Sequence, residues 1–223
     1  MHISALDLDE VRAVEVGDDT HAERVPLFSE ALQLLTAPPP LNANGQQRAE
    51  IVGGGGERLV HCFAEIKSEG GIIYSSTFDP QLTAGAALVV NAAAVPASQL
   101  TWISFSLGAL LEMKRLTPSH ACLLIQMVGS SEEAWKVAEV AVKHGLDGID
   151  LNADPRVITP ELVAWLHERG KTVAVWVFRA PASNDNPAVW EHMTRCGVDY
   201  FTSNLPSAVH AWRPPLQASP AAS

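Results

Sequence analysis

Glu65 and Lys67 close the apolar run "LVHCFAEIK" (59–67), two residues apart. In an extended strand, residues two apart point to the same side. A carboxylate and an ammonium on one face suit two tasks. The carboxylate can hold a hard divalent cation through oxygen, and the ammonium can meet a phosphate as a point charge. An ordinary salt bridge at a strand end satisfies the same spacing. Other polar or aromatic residues stand at the ends of apolar runs in the same way. They are Ser104 and Ser106 in "ISFS", Asp150 and Asn152 in "GIDLN", Trp176 and Phe178 in "VAVWVF", and Ser203 and Asn204 in "FTSNLP".

Other motifs point to no chemistry. "VGGGG" (52–56) precedes a strand instead of opening a helix, so it is not a phosphate-binding loop. Neither G-x-S-x-G nor H-E-x-x-H occurs. His61 and His120 border strands, where a satisfied structural ring is the expected role. His144, His167 and His192 fall near helix C-termini, where a partly cationic ring suits the helix dipole. Cys62, Cys122 and Cys196 form no C-x-x-C or zinc spacing, and reduced, mostly buried thiols are expected.

The elements that would position these residues follow a rhythm. Strands are predicted at 59–66, 100–105, 121–128, 148–152, 172–178 and 198–203. Helices are predicted at 25–35, 107–116, 132–145, 160–170 and 187–197. Continuous apolar strands alternating with amphipathic helices imply a parallel sheet covered by helices. Six strands satisfy a doubly wound sheet and fall two short of a (β/α)8 barrel. In either architecture, function sits at the strand C-termini. One domain is expected over 1–212, with a flexible loop at 36–58 and a disordered tail at 213–223.

Composition narrows the classes. With 223 residues, 47% of them hydrophobic, the chain can build a full core. A net charge of −10 argues against a nucleic-acid partner. No apolar run approaches the roughly 20 residues of a membrane span. "LTAGAALVVNAAAVP" comes nearest and is too short. The acidic start lacks the pattern of a secretory signal, so a cytoplasmic location is expected.

The order of motifs resembles the glycerophosphodiester phosphodiesterase family. The resemblance rests on "VPLFSEALQLL", "AEIK", "ISFSLGALLEMKRLTP", "ITPELVAWLHERGKTVAVWVF" and "GVDYFTSNLP". It covers about residues 3 to 212 and is most specific over 145–206. It implies a TIM barrel that hydrolyses a small-molecule glycerophosphodiester to an alcohol and glycerol 3-phosphate with a divalent metal, Mg²⁺ or Ca²⁺. By the same resemblance, Glu65 matches the metal-binding glutamate and Lys67 the lysine beside the phosphate. Trp176 matches the tryptophan lining the substrate pocket. Asn204 falls where the family has Asp or Asn, and Phe178 replaces an asparagine.

The resemblance also implies absences. The family's first two strands carry "HRG" and a Glu-x-Asp metal pair, and a loop carries "HD". Neither "HRG" nor "HD" occurs in this chain, so none of the family's acid–base histidines is present. Hydrolysis is expected to be at least about a hundredfold slower than in a complete enzyme. Strand 59–66 should have an unpaired edge, through which the chain could self-associate. Three other readings fit the residues: a non-catalytic remnant that oligomerises, a barrel enzyme using Lys67 as a Schiff-base amine, and a doubly wound binding module.

Overall fold

A computed structural model describes residues 6–17, 23–36, 61–67, 78–178 and 184–212. The expected loop beyond Thr36 and the expected 213–223 tail lie outside the described residues. Six strands form one sheet: β1 (Cys62–Glu65), β2 (Leu100–Ser104), β3 (Ala121–Gln126), β4 (Gly148–Asn152), β5 (Thr172–Trp176) and β6 (Tyr200–Thr202). Every pairing is parallel, and the order is β1-β2-β3-β4-β5-β6. Each strand therefore pairs with its neighbours in sequence, and the order never reverses. A doubly wound sheet needs such a reversal at its switch point, so that reading is excluded.

The helices are α1 (Leu8–Ala13), α2 (Phe28–Thr36), α3 (Pro80–Ala92), α4 (Leu107–Leu116), α5 (Ser131–Lys143), α6 (Pro160–His167), α7 (Pro187–Cys196) and α8 (Pro206–Ala211). Their starts follow local chemistry. The Ser106, Ser130 and Thr159 side chains each accept from the backbone N–H three residues on. Asp79 and Asn186 cap helices that open on proline. Gly197 ends α7 with φ at +82°, a left-handed position that favours glycine.

Alternation along the strands separates two faces. Leu100, Trp102, Cys122, Leu124, Ile149, Leu151, Val173 and Val175 share one hydrophobic cluster with the buried faces of α4 to α7. The intervening residues line the other face. Among them Leu123, Ile125 and Ala174 are buried but lie outside the helix-side cluster. This inner face is a lumen, because the sheet curls until its ends meet through side chains. Tyr200 of β6 stacks on His61 at 5.4 Å and meets Phe63 of β1 edge-on at 5.0 Å. The result is a curled half-barrel, an incomplete TIM barrel. Gly148 permits close packing of β4 on β5, since a Cβ there would overlap the Thr172 carbonyl oxygen.

Among the described residues, β1 pairs only with β2 and β6 only with β5. The sequence reading placed the strand cores well and overran several ends: of the expected 59–66, residues 59 and 60 lie outside the described residues, and β1 is Cys62–Glu65. It missed α1, α3 and α8. The stretch nearest to a membrane span is largely α3, a 13-residue helix that buries Thr83, Ala87 and Val90. No helix among the described residues is long and apolar enough to cross a membrane. All three cysteines are free thiols, with Cys122 and Cys196 buried.

Candidate active site

Because all six strands are parallel, their C-terminal ends share one rim. Glu65 ends β1 and Lys67 lies just beyond it. Lys67 Nζ stands 2.7 Å from Glu65 Oε1, and the Lys67 side chain is 77% exposed against 25% for Glu65. The ammonium thus reaches outward from the rim while the carboxylate turns into the lumen. Despite the nearby ammonium, the buried Oε1 has no partner in hydrogen-bond geometry. The end of β1 is held by the "ISFS" residues. Ser104 Oγ donates to the Ile66 carbonyl at 2.7 Å, and Ser106 N–H donates to Ser104 Oγ at 3.0 Å.

Asp150 lies on the inner face of β4 and is only 3% exposed. Its buried Oδ1 has no hydrogen-bond partner. Burial, and then the negative charge of Glu65, push its carboxyl up from 3.8 to about 7. Asn152, at the end of β4, is spent on structure. Its amide accepts from Val128 N–H at 2.7 Å and donates to the Val128 carbonyl at 3.1 Å.

Trp176 ends β5. Its ring meets Phe178 at 4.6 Å and Phe105, across the lumen, at 6.4 Å. Its indole Nε1 is buried and lacks a partner. Asp150 Oδ1 and Trp176 Nε1 are thus buried without a partner among the described residues, while Glu65 Oε1 has only the Lys67 ammonium. All belong to the inner face near the rim. Unpaired buried polar groups are rare because each forfeits its hydration without compensation.

Asn204 stands just past β6 and is exposed. Its side-chain amide donates to the Phe178 carbonyl at 3.3 Å. Asp185, buried in the loop before α7, fixes this corner. It accepts from Asn204 N–H at 2.7 Å, from Ser203 Oγ at 3.0 Å and from Trp190 Nε1 at 2.8 Å. Sequence reasoning passed over Asp185, since a lone acid in a polar loop gives no periodic signal.

Four of the described histidines have structural partners. His61 ring nitrogens lie 2.8 Å from the Ser98 carbonyl and 2.9 Å from Thr101 Oγ1. His120 lies 3.1 Å from the Val95 carbonyl and His192 2.8 Å from that of Ile158. His167 pairs with Asp199 at 3.0 Å. Among the described residues, no histidine stands at a strand C-terminus.

A divalent cation, which the resemblance implies, can be tested against this donor set. Among the described residues, no group of three or more His, Cys, Asp or Glu side chains could hold a metal ion. Of the two lumen carboxylates, Asp150 keeps an unpaired oxygen, while Glu65 Oε1 already meets the Lys67 ammonium at 2.7 Å. Mg²⁺ commonly takes one or two carboxylates and fills its shell with water and substrate phosphate.

No known family profile matches the chain, and no curated protein matches it in sequence. Solved structures do. A glycerophosphodiester phosphodiesterase from Parabacteroides distasonis superposes with a TM-score of 0.63 at 21% identity, over 94% of this chain and 71% of its own. One from Agrobacterium tumefaciens gives 0.59 at 16% identity, over 92% of this chain and 71% of its own. A protein from Galdieria sulphuraria assigned the same activity gives 0.65 at 19% identity, over 92% and 69%. This chain therefore spans about seven-tenths of each neighbour and carries, over nine-tenths of its own length, the fold of the glycerophosphodiester phosphodiesterases.

Proposed function

We propose that this chain binds a glycerophosphodiester at the rim of its half-barrel, and that its reaction class is phosphodiester hydrolysis to an alcohol and glycerol 3-phosphate. The observation that carries the reading is the Glu65–Lys67 pair at the C-terminal end of β1, in a fold shared with phosphodiesterases. Lys67 would meet the phosphate, its ammonium being exposed and mobile on a long stem. Trp176, with Phe105 and Phe178, would form an apolar wall that excludes water from one side of the diester. The Asn204 amide would bond a substrate oxygen. Glu65 would hold a divalent cation, which when bound would supply positive charge against the phosphoryl oxygens.

Hydrolysis also needs a proton donor for the leaving alkoxide and a base for the nucleophile. No described histidine is placed for either task. A binding protein with little turnover is therefore the second reading, favoured by that placement. A Schiff-base role for Lys67 is disfavoured. Such an amine must lose its proton, which desolvation promotes, whereas Lys67 is exposed and ion-paired.

The test is glycerophosphocholine turnover with excess Mg²⁺ or Ca²⁺. We expect a rate at least about a hundredfold below that of the Parabacteroides neighbour, the lower end of what acid–base catalysis supplies. Lys67→Met should remove the residual rate. Residual turnover unchanged in that variant would refute the assignment of Lys67, and a rate equal to the neighbour's would refute the account of the missing acid and base.

A further inference from the structure

We propose that the rim takes a phosphodiester whose glycerol carries one long acyl chain, with that chain lying along Trp176, Phe178 and Leu205. The inference rests on the reading that Lys67 meets the phosphate, and it names the substrate class of that same site. It begins from the apolar side chains that stay exposed. Single exposed apolar residues are ordinary on a protein surface, whereas a contiguous group marks a contact surface. Phe178, just past β5, is 44% exposed, and Leu205, just past β6, is 48% exposed. Met127, just past β3, is 55% exposed. All three follow the C-terminal ends of parallel strands, so they share one rim with Lys67.

The group is continuous. The Phe178 ring meets Trp176 at 4.6 Å, and Trp176 meets Phe105 at 6.4 Å. On the other side the Asn204 amide donates to the Phe178 carbonyl at 3.3 Å, which sets the residue before Leu205 against Phe178. The Leu205 end of the strip also comes round towards Lys67, because Tyr200 of β6 packs on His61 and on Phe63 of β1. Charge then selects the occupant. The Lys67 ammonium is exposed on the same rim. A cation beside an apolar strip complements an anionic head joined to an apolar tail. An acylated glycerophosphodiester has that form in a single molecule, with its phosphate at Lys67 and its chain over the strip. A deacylated one leaves the strip in water. An anionic bilayer is a poorer occupant, since it repels a chain of net charge −10.

The experiment is calorimetric titration of the intact chain in excess Mg²⁺ with three ligands: glycerol 3-phosphate, octanoyl glycerol 3-phosphate below its micelle concentration, and octanoyl glycerol. None of them is a diester, so binding is read without turnover. We expect octanoyl glycerol 3-phosphate to bind at least tenfold more tightly than either of the others. Phe178→Asn and Leu205→Asn should each cut its advantage over glycerol 3-phosphate at least threefold, and Lys67→Met should weaken both phosphates. Circular dichroism reports folding of each variant. Equal affinity of the two phosphates, or an advantage unchanged in both Phe178→Asn and Leu205→Asn, overturns this proposal and leaves the reading of Lys67 standing. If neither phosphate binds, the reading of Lys67 falls with it. Adhesion to phosphatidylcholine vesicles without binding of the monomeric octanoyl ligand would assign the strip to a bilayer and overturn the proposal.

Discussion

Replacing Asp150 with Asn is expected to stabilise the protein at pH 8 and to leave it nearly unchanged near pH 4. The folded-state pKa of Asp150 is raised from 3.8 to about 7 by burial and by Glu65. A raised carboxyl binds its proton more tightly when folded. Its contribution is fully present below the unfolded value and is lost as pH rises through about 7. Above that pH the parent keeps a charged carboxylate in a site that is 3% exposed. The shift is worth about 4 kcal/mol, or roughly 10 °C in melting temperature for a chain of this size. Urea unfolding of parent and variant at pH 4, 6 and 8, in chelator, reads the difference directly. A constant difference across that range would mean that Asp150 does not titrate there.

Asp185→Ala should be among the most damaging single changes in the described chain. The carboxylate accepts from Trp190 Nε1, Ser203 Oγ and Asn204 N–H, and it is 6% exposed. Removing it leaves three donors unpaired. Two of them hold the end of β6 against the loop before α7. The loss should be roughly 3–5 kcal/mol, from bonds to a charged group and the stranded donors. Ligand affinity should fall as well, because Asn204 loses its backbone anchor. A urea midpoint within error of the parent would show that the loop does not hold the rim.

Local signals were strong where one face of an element meets the core. The predicted 107–116 helix and 148–152 strand agree with α4 and β4 at both ends. Helix α3 escaped because its Ala, Gly and Asn residues blur the apolar period; it buries only Thr83, Ala87 and Val90. Curling of the sheet was not legible. It depends on Tyr200 meeting His61 and Phe63, residues far apart in sequence. Periodicity likewise could not choose between a barrel and a doubly wound sheet, a question of strand order alone.

The site shows the same division. Two charges at the end of an apolar run marked Glu65 and Lys67, and strand ends marked Trp176 and Asn204. Asp150 stood in view as a charge inside "GIDLN", yet its isolation could be seen only once the lumen closed around it. His61 and His120 read correctly as structural, since rings at strand starts find nearby carbonyls.

The central claim is that the rim at the end of β1 receives the phosphate of a glycerophosphodiester. A crystal structure of the chain with glycerol 3-phosphate and Mg²⁺ tests it most directly. The account predicts the phosphate within ion-pair distance of Lys67 Nζ, with its glycerol toward Trp176 and Asn204. Phosphate bound elsewhere, or an empty rim at saturating ligand, would contradict it.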